Sequence, residues 1–273
     1  MTIRDFMRAL SAASMPRNEA RLLLAHVLHR DPAWLVAHDD YEFNVEELGQ
    51  INTLVARREA GEPIAYLLGE RDFYGRTFRC SPAALIPRPE TELLIDRALA
   101  NVAIDASVQV LDVGTGTGCL AITFALERPN ALVKAVDVSP DALELARHNS
   151  QRLQAKVAFI QSNWFSALPP DAQFDLFLSN PPYIVPGDAH LARGDLRFEP
   201  AIALADAVDG LESYRQLARG AQLHLKSDGV LIVEHGYDQG ETVPALLRAA
   251  GFADVSMHRD LAGQPRVTEA RKR

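Results

Sequence analysis

A chain of 273 residues, 48% hydrophobic and 23% charged, has the usage of an ordinary folded protein of one or two domains with ample core. The net charge of −8 argues against broad binding to a phosphate backbone and favours a protein or small-molecule substrate. No run approaches ~18 uncharged apolar residues and Met1 to Asp5 lack a signal-peptide core, so neither membrane association nor export is expected and the expected location is cytoplasmic. Cys80 and Cys119, the only 2 cysteines, support no disulfide framework and no zinc cluster, so no metal is expected.

Residues 1–72 read as a helical domain. Thr2 is placed to cap Ile3 to Leu10, Pro16 to open Arg17 to His29, and Asn44 to cap Val45 to Glu59, with Gly61 as the stop. Leu22, Leu23, Val27 and Leu28, then Leu48, Ile51, Leu54 and Val55, recur at helical spacing and predict a small bundle. Such a bundle ahead of a catalytic domain is a candidate module for substrate recognition. Residues 73–90 change to a short aromatic pattern, Phe73-Tyr74-Gly75-Arg76-Thr77-Phe78, then Ile86-Pro87-Arg88-Pro89-Glu90. They predict a hairpin connector and a stiff lead-in to a helix capped near Glu90-Thr91, with Arg88 and Glu90 solvated at the junction.

From 91 to 273 the pattern is α/β. Strands are predicted over 108–113, 132–138, 157–161, 174–179 and 230–234, with helices near 118–127, 139–153, 210–225 and 239–250. Strand–helix alternation implies a mostly parallel sheet covered on both faces. Residues 254–259 and 266–270 are strand-like with no helix between them, so a terminal hairpin adds an antiparallel edge strand.

Two strand ends carry chemistry. Asp112-Val113-Gly114-Thr115-Gly116-Thr117-Gly118 is a strand tip, a glycine-rich turn and a helix start, and glycine allows close approach of backbone to ligand. Asp137 ends the next strand roughly 20 residues on, where a carboxylate takes the hydroxyls of a ribose. Counting from Gly114, the third glycine of a dinucleotide fingerprint falls on Cys119. Asp112 suits a cationic, phosphate-free ligand such as a sulfonium and would repel a pyrophosphate. Asn163 and Trp164 follow the third strand, placed to meet an adenine, while Phe165 is read as core.

The second is Asn180-Pro181-Pro182-Tyr183, directly after the apolar run Phe174 to Ser179. The prolines stiffen the turn and remove an N–H, leaving the Asn180 side-chain oxygen and the Pro181 carbonyl as convergent acceptors beside the Tyr183 ring. Two acceptors suit a planar group with two N–H hydrogens, a carboxamide or an exocyclic base amine. Glu234-His235, at another strand end, is read as cleft wall.

With Ile86 to Glu92, Phe198-Glu199-Pro200 and Glu234-His235-Gly236, these motifs resemble class I S-adenosyl-L-methionine-dependent methyltransferases, and among them the bacterial release factor glutamine methyltransferases, the HemK or PrmC family. The resemblance implies a Rossmann-like seven-stranded domain behind a helical one, methylating the glutamine side-chain nitrogen of the Gly-Gly-Gln motif in class 1 peptide chain release factors. S-adenosyl-L-homocysteine would be the by-product. By position, Gly114, Thr115, Gly116, Thr117 and Gly118 would cradle the methionine part of the cofactor, Asp137 the ribose and Trp164 the adenine. Asn180 and Pro181 would hold the glutamine amide, with Pro182 and Tyr183 packing beside it. Asn163 stands where that family commonly has an acidic residue, keeping an acceptor but losing its charge. Three other readings share part of the pattern: a DNA or RNA base-amine methyltransferase, a nicotinamide oxidoreductase, and a cofactor-binding interaction module without turnover. No stable nucleic-acid binding is expected of the acidic chain.

Overall fold

The computed structural model describes residues 1–12, 15–192, 194–206 and 208–273. The chain divides into two compact units, Met1–Glu70 and Arg71–Arg273.

The first unit contains α1 (Ile3–Ala12), α2 (Arg17–Leu28), α3 (Pro32–Ala37), α4 (Val45–Glu59) and α5 (Ile64–Leu68). Its boundaries follow local chemistry. Thr2 Oγ1 accepts from the Asp5 N–H at 3.2 Å, and Asn44 with Glu47 forms a reciprocal capping box at 2.8 and 2.9 Å. The short α3 is not evident from periodicity, since 6 residues span under two turns; its signal is the cap, Asp31 Oδ1 accepting from the Trp34 N–H at 2.7 Å. Leu23, Leu24 and Ile51 are fully buried in one core with Ile3, Phe6 and Leu10. Leu22, counted in the apolar stripe from sequence, instead faces outward at 40% exposure.

The second unit opens with a hairpin, β1 (Glu70–Phe73) and β2 (Arg76–Arg79), turned by Tyr74 at φ 51° and Gly75 at φ 70°. Both central residues are left-handed, as a two-residue hairpin turn requires. Phe73 and Phe78 are buried in the core of the α/β unit, so the hairpin is packed into it. A single helical turn, Pro89–Thr91, then leads into α6 (Glu92–Asn101).

The rest is β3 (Gln109–Val113), α7 (Cys119–Glu127), β4 (Leu132–Asp137), α8 (Pro140–Leu153), β5 (Val157–Gln161), β6 (Phe174–Ser179), the short α9 (Ala201–Leu204), α10 (Glu212–His224), β7 (Leu225–Glu234), α11 (Thr242–Ala249), β8 (Ala253–Arg259) and β9 (Pro265–Arg271). The seven-stranded sheet has the order β5-β4-β3-β6-β7-β9-β8, parallel from β5 through β7, with β9 antiparallel to both neighbours. Alternation along each strand feeds two cores. Val110, Leu176, Leu178 and Ile232 join Leu94 and Ile95 of α6 and Ile122 and Phe124 of α7. Leu111, Val113, Phe177 and Val233 join Tyr214 and Leu217 of α10 and Leu247 of α11. Each such side chain, fully buried, stabilises the fold by about 1.5–3 kcal/mol before its ordering cost.

Strand β7 starts five residues before its predicted beginning at Val230, immediately after α10. Asp228 at φ 64° and Gly229 interrupt the apolar pattern there, and the pairing with β6 shifts register between Phe174 and Leu176, which hid the first half of the strand. The chain winds outward from β3 to β4 to β5, then crosses back to β6 on the other side of β3. That reversal opens a crevice beyond the carboxyl ends of β3 and β6, where ligands bind in doubly wound sheets.

Candidate active site

A cavity of about 550 Å³ occupies this crevice, within the range of small-molecule sites. One side is the turn after β3. Gly114, Gly116 and Gly118 lie at φ 77°, 55° and 82°. Gly118 is the constrained position: a Cβ there would stand 2.8 Å from Ile122 Cδ1 and 3.1 Å from Ala146 Cβ, so α7 and α8 approach as they do because it has none. The Gly116 N–H and the Ser139 N–H each donate to an Asp137 carboxylate oxygen at 2.9 Å, fixing that side chain at the cavity wall. Asn149, fully buried on α8, donates to the Thr117 carbonyl at 2.9 Å and exchanges bonds with the Arg79 backbone at 2.8 and 3.1 Å. It straps the glycine turn to the hairpin; from sequence, an asparagine inside an amphipathic helix reads as surface.

Asp112 lies beneath the turn with no exposed surface. Its Oδ2 accepts from Thr115 Oγ1 at 2.6 Å and from the Ala121 N–H at 3.2 Å, while Oδ1 has no hydrogen-bond partner among the described residues. Burial pushes this carboxyl up to about 7, partly countered by those two donors. A buried carboxyl with one oxygen left without a partner beneath the glycine turn is a site where a positive charge held above the turn would be favoured. Asn163 and Trp164 line the same cavity. Phe165 does not; it stacks on Phe177 at 5.6 Å between centroids and belongs to the core.

The other side is the turn after β6, where Asn180, Pro181 and Pro182 line the cavity. Asn180 Nδ2 donates to Thr91 Oγ1 at 3.2 Å, and Thr91 Oγ1 donates to Glu234 Oε2 at 2.5 Å. Glu234 closes β7 at 2% exposure, and burial pushes it up to about 7. The helix cap expected at Glu90-Thr91 is corrected here: the Thr91 side chain makes no capping bond, because its hydroxyl is committed to Glu234. Tyr183 sits beside this group. It is not among the cavity-lining residues; its ring packs against the α10 side of the sheet, its carbonyl accepts from Gln239 Nε2 at 3.4 Å, and burial pushes its phenol up to about 12. The residue after two prolines continues toward Ile184, whose pairing with the 204–206 segment, 3.0 Å in each direction, turns the ring away. His235 is buried and not among the cavity-lining residues; its Nδ1 lies 2.9 Å from the Gly236 carbonyl oxygen, and burial lowers its pKa.

Arg88 was read as solvated. It lines the cavity and pairs with the fully buried Glu199 carboxylate, whose other oxygen accepts from the Ile86 N–H at 3.0 Å. Glu90 is exposed. Asp206 gathers the N–H groups of Val208, Gly210 and Glu212 at 2.7, 2.8 and 2.6 Å and is held below the usual carboxylate range by these backbone donors despite its burial. Its bonds shape the loop that follows the acceptor turn. No sequence motif announced it.

A glycine turn with the Asp137 carboxylate on one side of a switch-point cavity, and the Asn180-Pro181-Pro182 strand end on the other, fit a class I methyltransferase that uses S-adenosylmethionine. A methyltransferase of Pyrococcus furiosus shares the fold, with a TM-score of 0.55 at 19% identity, covering 81% of this chain and 98% of that one. Residues 89–197 match the methyltransferase small domain and residues 2–69 the PrmC N-terminal domain. The release factor glutamine methyltransferase of Bordetella pertussis is 48% identical over 259 residues, covering 95% of this chain and 96% of the relative. That of Neisseria gonorrhoeae is 47% identical over 260 residues, covering 95% and 94%. The chain belongs to the release factor glutamine methyltransferase family.

Proposed function

We propose that the chain methylates the side-chain amide nitrogen of the glutamine in the Gly-Gly-Gln motif of class 1 peptide chain release factors, and that Asn180 and Pro181 are the residues that present that nitrogen. The observation that carries this reading is the convergence of the Asn180-Pro181 turn and the Gly114–Gly118 turn on one cavity of about 550 Å³. S-adenosylmethionine supplies an electrophilic methyl group on sulfur when bound. The chain's own task is to bring a weak nucleophile to it, because the lone pair of an amide nitrogen is delocalised into its carbonyl.

Asn180 Oδ1 and the Pro181 carbonyl accept the two N–H hydrogens of the glutamine side chain, fixing the plane of the amide and turning the face of its nitrogen toward the cofactor side. Both are acceptor dipoles aimed where positive charge develops on nitrogen, so positioning and electrostatics supply the rate. The proton released after transfer leaves to water, and no dedicated base is assigned. On the opposite wall, Gly114, Thr115, Gly116, Thr117 and Gly118 would cradle the methionine portion of the cofactor, Asp137 would take the ribose hydroxyls, and Asn163 with Trp164 would meet the adenine. Tyr183 braces the acceptor turn from behind. The helical domain, residues 1–72, is the proposed reader of the release factor surface.

The test is transfer of labelled methyl from S-adenosylmethionine to purified release factor, to its Gln→Ala variant in the Gly-Gly-Gln motif, and to mixed DNA and RNA. Label in the intact release factor alone is the expected result. Label in nucleic acid, or equal label in the Gln→Ala variant, overturns it.

A further inference from the structure

We infer that Thr91 and Glu234 are positioning residues that set which face of the Asn180 amide meets the substrate. This rests on the reading of Asn180 as the amide receptor. An asparagine side chain is nearly symmetric in shape but opposite in chemistry at its two ends: oxygen accepts, nitrogen donates. Only the oxygen can receive the N–H of an incoming glutamine; the flipped amide would set donor against donor. A receptor built on asparagine therefore needs a device that tells the two orientations apart.

The Thr91–Glu234 pair is such a device. Glu234 Oε2 takes the Thr91 hydroxyl hydrogen at 2.5 Å, so Thr91 Oγ1 is left with acceptor capacity only and binds Asn180 through Nδ2 at 3.2 Å. The chain of bonds runs one way, from amide to hydroxyl to carboxylate, and its direction is imposed by the end that cannot donate. The three residues come from the start of α6, the end of β6 and the end of β7, and the two strands are in register at Ser179 and Val233. Glu234 is anchored through its backbone, its carbonyl accepting from Tyr214 Oη at 3.1 Å. Thr91 also forgoes the local role its position offers, since α6 begins there without a side-chain cap. A hydroxyl withheld from its own helix and given to a buried carboxylate is a local rule broken at a functional site.

A protonated Glu234 can donate instead of accept, which removes the imposed direction. The groups facing it are Thr91 and Asn180 by hydrogen bond, Arg266, whose charge favours the ionised form, Glu90, whose charge opposes it, and the phenols of Tyr183 and Tyr214. With Glu234 pushed up to about 7, turnover at saturating cofactor is expected to fall as pH drops through that value.

The experiment compares Thr91→Val, Thr91→Ser, Glu234→Gln and Asn180→Ala in the full chain, reading kcat, KM for the release factor, cofactor Kd and Tm. Thr91→Val keeps the shape and removes the hydroxyl; its kcat should fall about ten- to fiftyfold, the loss of a charge-assisted hydrogen bond, with cofactor Kd within about twofold. Thr91→Ser should recover turnover to within about threefold, and Glu234→Gln should abolish the acid limb of the kcat profile. The inference is overturned if Asn180→Ala is inactive while Thr91→Val turns over normally, if serine fails to rescue a folded valine variant, or if the acid limb survives in Glu234→Gln. Should Thr91→Val not fold, the Glu234→Gln profile decides alone. Normal turnover of Asn180→Ala would instead sink the underlying assignment of the amide receptor.

Discussion

The two walls of the cavity are built by different means. On the cofactor wall the key groups find partners close in sequence: Asp112 is held by Thr115, 3 residues on, and by the Ala121 N–H, 9 residues on, and Asp137 by Gly116, 21 residues away. On the acceptor wall the partners are remote. Asn180 and Thr91 are 89 residues apart, Thr91 and Glu234 143, Arg88 and Glu199 111. Most of the cofactor wall depends on one turn and its neighbouring strand, with Asn149 strapping it to Thr117 and the Arg79 backbone. A wall assembled from several strand and helix ends exists only in the finished sheet.

The comparison predicts separable effects. The largest belongs to the acceptor wall: Asn180→Ala should lower kcat roughly a hundredfold to a thousandfold, the cost of removing one preorganised polar group, with cofactor Kd unchanged by calorimetry. A parallel loss of cofactor affinity would mean the walls are not separate. Next, Gly118→Ala should destabilise the protein by about 2–3 kcal/mol in urea unfolding, since a Cβ there meets α7 and α8 and the residue sits at φ 82°. Gly114→Ala, at φ 77° with open space around it, should cost only about 1 kcal/mol.

Asp112→Asn should weaken S-adenosylmethionine binding about tenfold at pH 8. The wild-type carboxyl is raised from 3.8 to about 7, so its contribution to folding is fully present below about pH 4 and is lost as pH rises through about 7. The unliganded Asp112→Asn variant should therefore gain on wild type between pH 5 and pH 8, by on the order of 2–3 kcal/mol in Tm-derived stability. A constant difference across that range would mean that Asp112 does not titrate there. The smallest effect is expected at Trp164→Ala, about a three- to fivefold rise in cofactor Kd with kcat intact.

The same contrast explains what could be read from the sequence. Gly114 to Gly118, Asp137 and Asn180-Pro181-Pro182 were legible because short-range chemistry dictates them: left-handed turns need glycine, and a strand that ends in two prolines ends at a sheet margin. The apolar runs were sufficient for the order of strands along the chain and both covering layers, except for the first half of β7. Glu199 and Asp206 were assigned no role and Thr91 only that of a cap, because a threonine at a helix start reads as a cap, and what diverts it is a carboxylate brought alongside only by folding. The packing of Tyr183 was hidden for a related reason. Its place in the motif says nothing about the Ile184 pairing that turns its ring toward α10.

The position of β9 bears on how such a protein is made. It is the last strand in the chain, yet it lies inside the sheet, pairing with β7 from Val230 opposite Arg271 to Glu234 opposite Val267. During synthesis from the amino terminus, the glycine turn and its carboxylates can be complete while β7 still has a bare margin. The residue that ends β7 receives its neighbour only when the final segment emerges. A chain released before β9 is made would therefore keep the glycine turn and its carboxylates but leave the edge of β7 that carries Glu234 unpaired.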